Sequence, residues 1–301
     1  MNALRSAASR GRRASCAALA LAALAVVPAS ALGANPGTAT TTTGQPLNIR
    51  IDAPNNGAAV AAQALTVNGV AGIGPLTGSG ATNLMYVLDN SGSTSSIVGD
   101  CNGDGTTDAN DDLNGDKAIG NVLDCEISGG VALNASLAQS GIQAGAIAFG
   151  STSDQGDVTP AAGQQDFAAV SADANGNGRS DVEDVLRSIN GGGFGVFTPT
   201  TGSGGGTNFN GAITKLNTAF AAKAGQRNIA AFLSDGSDSI TEGAGSPVDT
   251  ARAAGTRINT YSVGKSAVGC GATSALKKIA DITGGTCTEV LDPTKLSATI
   301  S

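Results

Sequence analysis

The sequence predicts an α/β fold: a doubly wound, mostly parallel sheet with helices on both faces, preceded by a short β segment. Three observations carry this. From Asn83 onward, apolar runs of strand length alternate with stretches of helical period. The first run, Leu84–Leu88, is apolar throughout, as expected of a strand buried on both faces. Oxygen-bearing residues gather just after several strand-like runs, and an open parallel sheet brings such positions to one crevice at its carboxyl edge.

The chain has 301 residues. Arg5, Arg10, Arg12 and Arg13 precede an apolar run, Cys16–Val27, and the small-residue site Ala29-Ser30-Ala31. This reads as a secretory signal peptide over 1–31, with an apolar core too short to remain as a spanning helix. The signal peptide makes a secreted, cell-surface or periplasmic location the expectation, and no other segment is apolar enough to cross a membrane. A Thr-rich linker (32–46) follows and is read as disordered or extended. Leu47, Ile49 and Ile51 alternate with polar residues as in a strand, and Ala64–Val70 reads as another after the turn Pro54-Asn55-Asn56-Gly57. This segment (47–80) resembles the first strands of an immunoglobulin-like module but is too short to close a sandwich.

The main domain, 83–301, is then justified element by element. Strands are expected at Leu84–Leu88, Ala144–Phe149, Asn228–Leu233, Ile258–Val263 and Cys287–Leu291, with a short edge strand at Asp157–Ala161. Helical spacing of apolar residues marks a stretch within Lys117–Ala138 (Val122, Ile127, Val131, Leu133, Leu137), Asp181–Ile189 (Val182, Val185, Leu186, Ile189) and Asn210–Ala222 (Ile213, Leu216, Phe220). Val248–Ala254 and Ser274–Thr283 complete the alternation.

Five side chains stand out: Asp89, Ser91 and Ser93 after the first strand, Thr207 after the glycines Gly204, Gly205 and Gly206, and Asp235 in Ser234-Asp235-Gly236 after the strand Asn228–Leu233. Two carboxylates and three hydroxyls form a hard-oxygen donor set suited to Mg²⁺ or Mn²⁺. Asp-x-Ser-x-Ser followed by a distant Thr and a distant Asp resembles the metal-ion-dependent adhesion site of von Willebrand factor type A domains, over roughly Asn83 to Asp292. The resemblance implies a Rossmann-like sheet. It also implies that Ser91 and Ser93 donate directly to the cation, with Thr207 direct or through water, and that Asp89 and Asp235 hold waters and supply charge. It implies binding of a protein partner through an exposed Asp or Glu. The Gly-rich loop 202–206 is expected to shift and so to tune the site.

A second pattern lies between the first strand and its helix, in an insertion at 100–124. Asp100, Asn102, Asp104, Thr106, Asp108 and Asp111 occupy positions one, three, five, seven, nine and twelve of a calcium loop, with Gly105 at six. Asp at twelve, rather than Glu, resembles dockerin-type loops. Asp173, Asn175, Asn177, Arg179, Asp181 and Asp184 repeat the pattern at 173–184, with Gly178 at six. A partial third match has Asp112, Asn114 and Asp116, with Lys117 in the glycine's place and Leu123, followed by Asp124, at the end. Ca²⁺ is the cation expected in these loops.

Composition narrows the function further. The net charge is −7, and taking away the four signal-peptide arginines leaves −11, which argues against a nucleic-acid partner. There is no His, so Ser-His-Asp and Cys-His catalysis are excluded. No Gly-x-x-x-x-Gly-Lys phosphate loop occurs. Aromatic residues are 3% of the chain, too few for a stacking platform. Cys101, Cys125, Cys270 and Cys287 are an even set in an exported chain and allow three disulfide pairings. Cys101–Cys125 and Cys270–Cys287 are favoured because each pair brackets a local insertion or helix. A secreted, cation-dependent adhesion or protein-interaction module is expected, not an enzyme. The alternative is a calcium-stabilised structural surface or matrix protein whose main cation site does not function.

Overall fold

The computed structural model describes residues 81–138, 140–264 and 269–300, together with the backbone of three strands nearer the N-terminus. The signal segment and most of the Thr-rich stretch lie outside the described residues. The chain divides into two units, 1–76 and 77–301.

In the first unit, β1 (Gly37–Thr40), β2 (Pro46–Ala53) and β3 (Asn68–Ile73) pair antiparallel in that order. Thr38 and Thr40 of the expected linker are therefore strand residues, with Thr38 opposite Asn48.

The second unit holds a seven-stranded sheet. Its strands are β4 (Thr82–Asp89), β5 (Gln143–Phe149), β6 (Ser153–Gln155), β7 (Ala168–Ala169), β8 (Arg227–Ser234), β9 (Arg257–Val263) and β10 (Cys287–Val290). The order is β10-β9-β8-β4-β5-β6, with β7 also paired to β5. Five strands run parallel, and only the short β6 and β7 are antiparallel. The helices are α1 (Val122–Ser136), α2 (Asp181–Arg187), α3 (Phe209–Ala221), α4 (Pro247–Ala253), α5 (Ala275–Thr283) and α6 (Leu296–Ile300).

Strand alternation sorts the core into two layers. Leu84, Tyr86 and Leu88 of β4 pack with residues of α1, α2 and α6, while Met85 and Val87 pack with α3, α4 and α5. All five are essentially shielded from water, and full burial of side chains this size stabilises by about 1.5–3 kcal/mol each. Polar caps start the helices: Asn121 and Asp124 form a reciprocal capping box on α1, and Ser180, Ser246 and Ser274 cap α2, α4 and α5.

Two differences from expectation have clear causes. Asp157–Ala161 is not a strand. Asp157 is buried, with one carboxylate oxygen accepting from Gln165 N at 3.1 Å and the other from Thr198 Oγ1 at 2.7 Å, so it anchors a loop while β6 forms the edge earlier. The terminal α6 was not anticipated. It packs on α1 where Gly129 leaves room; a Cβ there would lie 2.8 Å from Leu296 Cγ.

Candidate functional site

β4 and β8 are parallel neighbours, with Leu88 opposite Leu233, so both chains leave the sheet at the same edge. Asp89 ends β4, and Asp235 follows the last residue of β8, Ser234. This adjacency brings together two carboxylates that are far apart in sequence. Asp89 Oδ1 accepts from Ser91 N at 2.9 Å, and Asp89 Oδ2 accepts from Ser234 Oγ. Ser91 Oγ and Ser93 Oγ are 3.0 Å apart, and Ser93 Oγ donates to Asp235 Oδ1 at 2.7 Å. Gly236 faces Thr207 and Asp89 together: a Cβ there would lie 2.9 Å from Thr207 Oγ1 and 3.4 Å from Asp89 Oδ2. All five anticipated side chains thus share one cluster. Asp89, Ser91 and Asp235 are buried at its base, Thr207 is half-buried, and Ser93 is exposed at its mouth.

The Gly-rich loop is held more firmly than its composition implies. Gly92 N donates to Gly205 O at 2.7 Å, Ser151 N to Gly204 O at 3.1 Å, and Gly206 N to Ser151 Oγ at 2.7 Å. Asn90 Nδ2 donates to Ser203 Oγ at 2.8 Å, and Ser203 is fully buried. The glycine at 204 is there for close approach, since a Cβ would lie 2.1 Å from Gly191 O. In this structure the loop expected to shift is tied to Gly92 and Ser151 by hydrogen bonds that composition does not display.

Burial dominates the electrostatics. It pushes the Asp89 carboxyl up to about 6 against the pull of its Ser234 and Ser91 hydrogen bonds, with Asp235 adding repulsion. Asp235 is also raised, chiefly by burial. The sequence reading missed Glu126, on the second turn of α1. It is fully buried, and burial, then Asp89 and Asp235, hold its carboxyl well above the usual range. Glu126, next to the apolar Ile127 in a stretch of helical period, was the available signal.

The donor set fits a hard divalent cation: two carboxylates balance its charge, and neutral hydroxyls line the open side. Among the described residues no group of three or more Asp, Glu, His or Cys side chains forms a metal-holding cluster. The fit therefore rests on Ser91, Ser93 and Thr207 as much as on Asp89 and Asp235.

The calcium-type loops show a repeated backbone staircase. In the first, Asp100 accepts from the N–H of Gly103, Asp104 and Gly105 at 2.7, 3.1 and 2.8 Å, and Asn102 and Asp104 accept from residues two further on. Asp111 closes it by accepting from Cys101, Asn102 and Asp108 N–H groups, and Asp108 caps the turn at Asn110. In the second, Asp173 accepts from Asn177 and Gly178 N, and Asn177 Oδ1 from Arg179 N. There the closing role falls to Asp181, which accepts from Ala174 N at 3.0 Å, while Asn175 and Asn177 point their amides at Asp184 Oδ2, each at 2.7 Å. These carboxylates are thus engaged with amide N–H groups of the loops themselves.

The partial third match follows the same path. Asp112 Oδ2 accepts from Lys117 N at 3.0 Å, as Asp100 does from Gly105, and Lys117 adopts φ +74°, the conformation of the glycine it replaces. Asn114 accepts from Asp116 N and Asp116 from Ala118 N. Asp124, not Leu123, closes it by accepting from Leu113 N at 2.8 Å and Asn121 N at 3.1 Å. One extra residue shifts the closing carboxylate by one place, which a fixed twelve-residue template overlooks.

Two disulfides, Cys101–Cys125 and Cys270–Cys287, select one pairing of the three. The first ties the 100–124 insertion to α1. No helix among the described residues is long and apolar enough to cross a membrane.

No protein-family model matches the sequence, and no characterised protein does. Among solved structures, a von Willebrand factor type A protein from Catenulispora acidiphila aligns at TM-score 0.49 and 14% identity, over 85% of this chain and 43% of that one. The conserved hypothetical protein BatB from Bacteroides thetaiotaomicron aligns at 0.43 and 15%, over 73% and 95%. Proximal thread matrix protein 1 from the mussel byssus aligns at 0.46 and 14%, over 73% and 44%, and another structure of it has a zinc-occupied metal-ion-dependent adhesion motif. The chain thus spans less than half the length of the first and third of these.

Proposed function

We propose that this protein is a divalent-cation-dependent interaction module of von Willebrand factor A type, acting outside the cytoplasm by binding and not by catalysis. One observation carries the reading: the oxygens of Asp89, Ser91, Ser93, Thr207 and Asp235 gather at one strand edge, with Ser93 open to solvent. A Mg²⁺ or Mn²⁺ held by these residues would offer a partner's Asp or Glu carboxylate a place to bind. The chain's own residues set its strength. Asp89 is fixed by Ser91 N and Ser234, and Asp235 by Ser93, so the donors are ordered in advance. The fastened 202–206 loop holds Thr207 beside them. Two disulfides suit an oxidising compartment.

The test is calorimetric titration of Mg²⁺ and Mn²⁺ into wild type and Asp89→Ala. The wild type is expected to bind one such ion and the variant none, with both folded by circular dichroism. Equal binding by the two proteins would reject the site. Capture of carboxylate-bearing peptides that survives chelation would reject the shared-metal mode. A second reading, a calcium-stabilised structural protein, is favoured by the three staircase loops beside α1 and α2. It predicts that Ca²⁺ raises the melting temperature while Mg²⁺ changes no binding.

A further inference from the structure

Glu126 lies behind the cluster of Asp89, Ser91, Ser93 and Asp235, and none of the contacts described so far uses it. It is fully buried on α1. Its Oε2 accepts from Asp89 N at 3.1 Å, which places the carboxyl at the root of the site. Its Oε1 is buried and has no hydrogen-bond partner. A buried acceptor oxygen left without a donor is destabilising. Among the described residues no Lys or Arg pairs with it; its charge interactions are with Asp89 and Asp235. Among the described residues these three carboxylates do not form a direct metal-holding cluster. No protein group among the described residues donates to Oε1, and a hydrated divalent cation would bring a donor in its water ligands.

We propose that Glu126 is a positioning and specificity-determining residue of the cation site: Oε2 fixes the Asp89 backbone and Oε1 accepts a hydrogen bond from a water carried by the cation. This inference rests on the cation reading above and adds to it a third, buried carboxylate. It favours a cation that keeps its water, Mg²⁺ over Ca²⁺.

The experiment compares wild type, Glu126→Gln and Glu126→Asp as purified full chains. Mg²⁺ and Ca²⁺ affinities come from calorimetry, melting temperatures are taken in chelator, and the electron paramagnetic resonance spectrum of bound Mn²⁺ reports the ion's surroundings. Glu126→Gln is nearly isosteric but presents an N–H where an acceptor is needed. It is expected to weaken Mg²⁺ binding tenfold or more, to narrow the preference for Mg²⁺ over Ca²⁺, and to alter the Mn²⁺ spectrum, with the metal-free melting temperature unchanged or higher. Glu126→Asp keeps the charge, withdraws the oxygens and is expected to lose affinity as well; it serves as the test if the Gln variant does not fold. Mg²⁺ affinity within twofold of wild type, with an unchanged Mn²⁺ spectrum, overturns the proposal and assigns Glu126 a purely structural role. Failure of the wild type itself to bind Mg²⁺ would instead reject the cation reading.

Discussion

Replacing Asp89 by Asn tests how the fold tolerates its own site. Asp89 is fully buried, and its carboxyl is raised from 3.8 to about 6, first by burial. A raised carboxyl binds its proton more tightly in the folded state than in the unfolded one. The metal-free fold therefore has its full stability from this group below about pH 3.8 and loses it as the pH climbs to about 6. A shift of about two pH units corresponds to about 3 kcal/mol at neutral pH. The substituted amide would carry no charge and could still accept from Ser91 N. In chelator, the stability advantage of Asp89→Asn should grow from near zero at pH 4 to about 3 kcal/mol at pH 7, or roughly 6–12 °C in melting temperature for a domain this size. Adding Mg²⁺ should reverse the order, because only the wild type gains stability from binding. Thermal melts at pH 4, 5.5 and 7, each with chelator and with Mg²⁺, measure all of this. A variant no more stable than wild type in chelator at pH 7, or one that Mg²⁺ stabilises equally, would refute the reasoning.

Gly236→Ala places a methyl group 2.9 Å from Thr207 Oγ1. It is expected to lower Mg²⁺ affinity about tenfold, or about 1.4 kcal/mol, with little change in metal-free melting; calorimetry decides. Asp111→Ala removes the acceptor for three backbone N–H groups in a buried position and should cost about 1–3 kcal/mol in urea unfolding and abolish any Ca²⁺ stabilisation of the first loop. Changing both Cys101 and Cys125 to Ser should cost about 2–4 kcal/mol and expose the 100–124 insertion to limited proteolysis, whereas a cleavage pattern identical to wild type would contradict the tie to α1.

Much of this domain was legible in one dimension. The parallel strands announced themselves because they are buried on both faces, so Leu84–Leu88 and Asn228–Leu233 read as apolar runs. The site residues were legible because a parallel sheet delivers the ends of its strands to one edge, and because hard-oxygen chemistry needs a recognisable set of side chains. Elements with little local signature were not. The two-residue β7 and the five-residue α6 exist only because β5 and the Gly129 face of α1 give them somewhere to pack.

What the sequence determined by itself was the alternation of strand and helix, the five-residue donor set and the four pairable cysteines, since each depends on residue type at short range or on a known spacing. Tertiary structure decided the rest. It decided that β8 lies beside β4, so that Asp235 meets Ser93, and that the glycine loop is fastened by amide-to-carbonyl bonds to Gly92 and Ser151. It closed the third loop with Asp124 and set Glu126 under Asp89 with one oxygen unspent. These are contacts between residues remote along the chain, and their energies come from burial and hydrogen-bond geometry that no local pattern encodes.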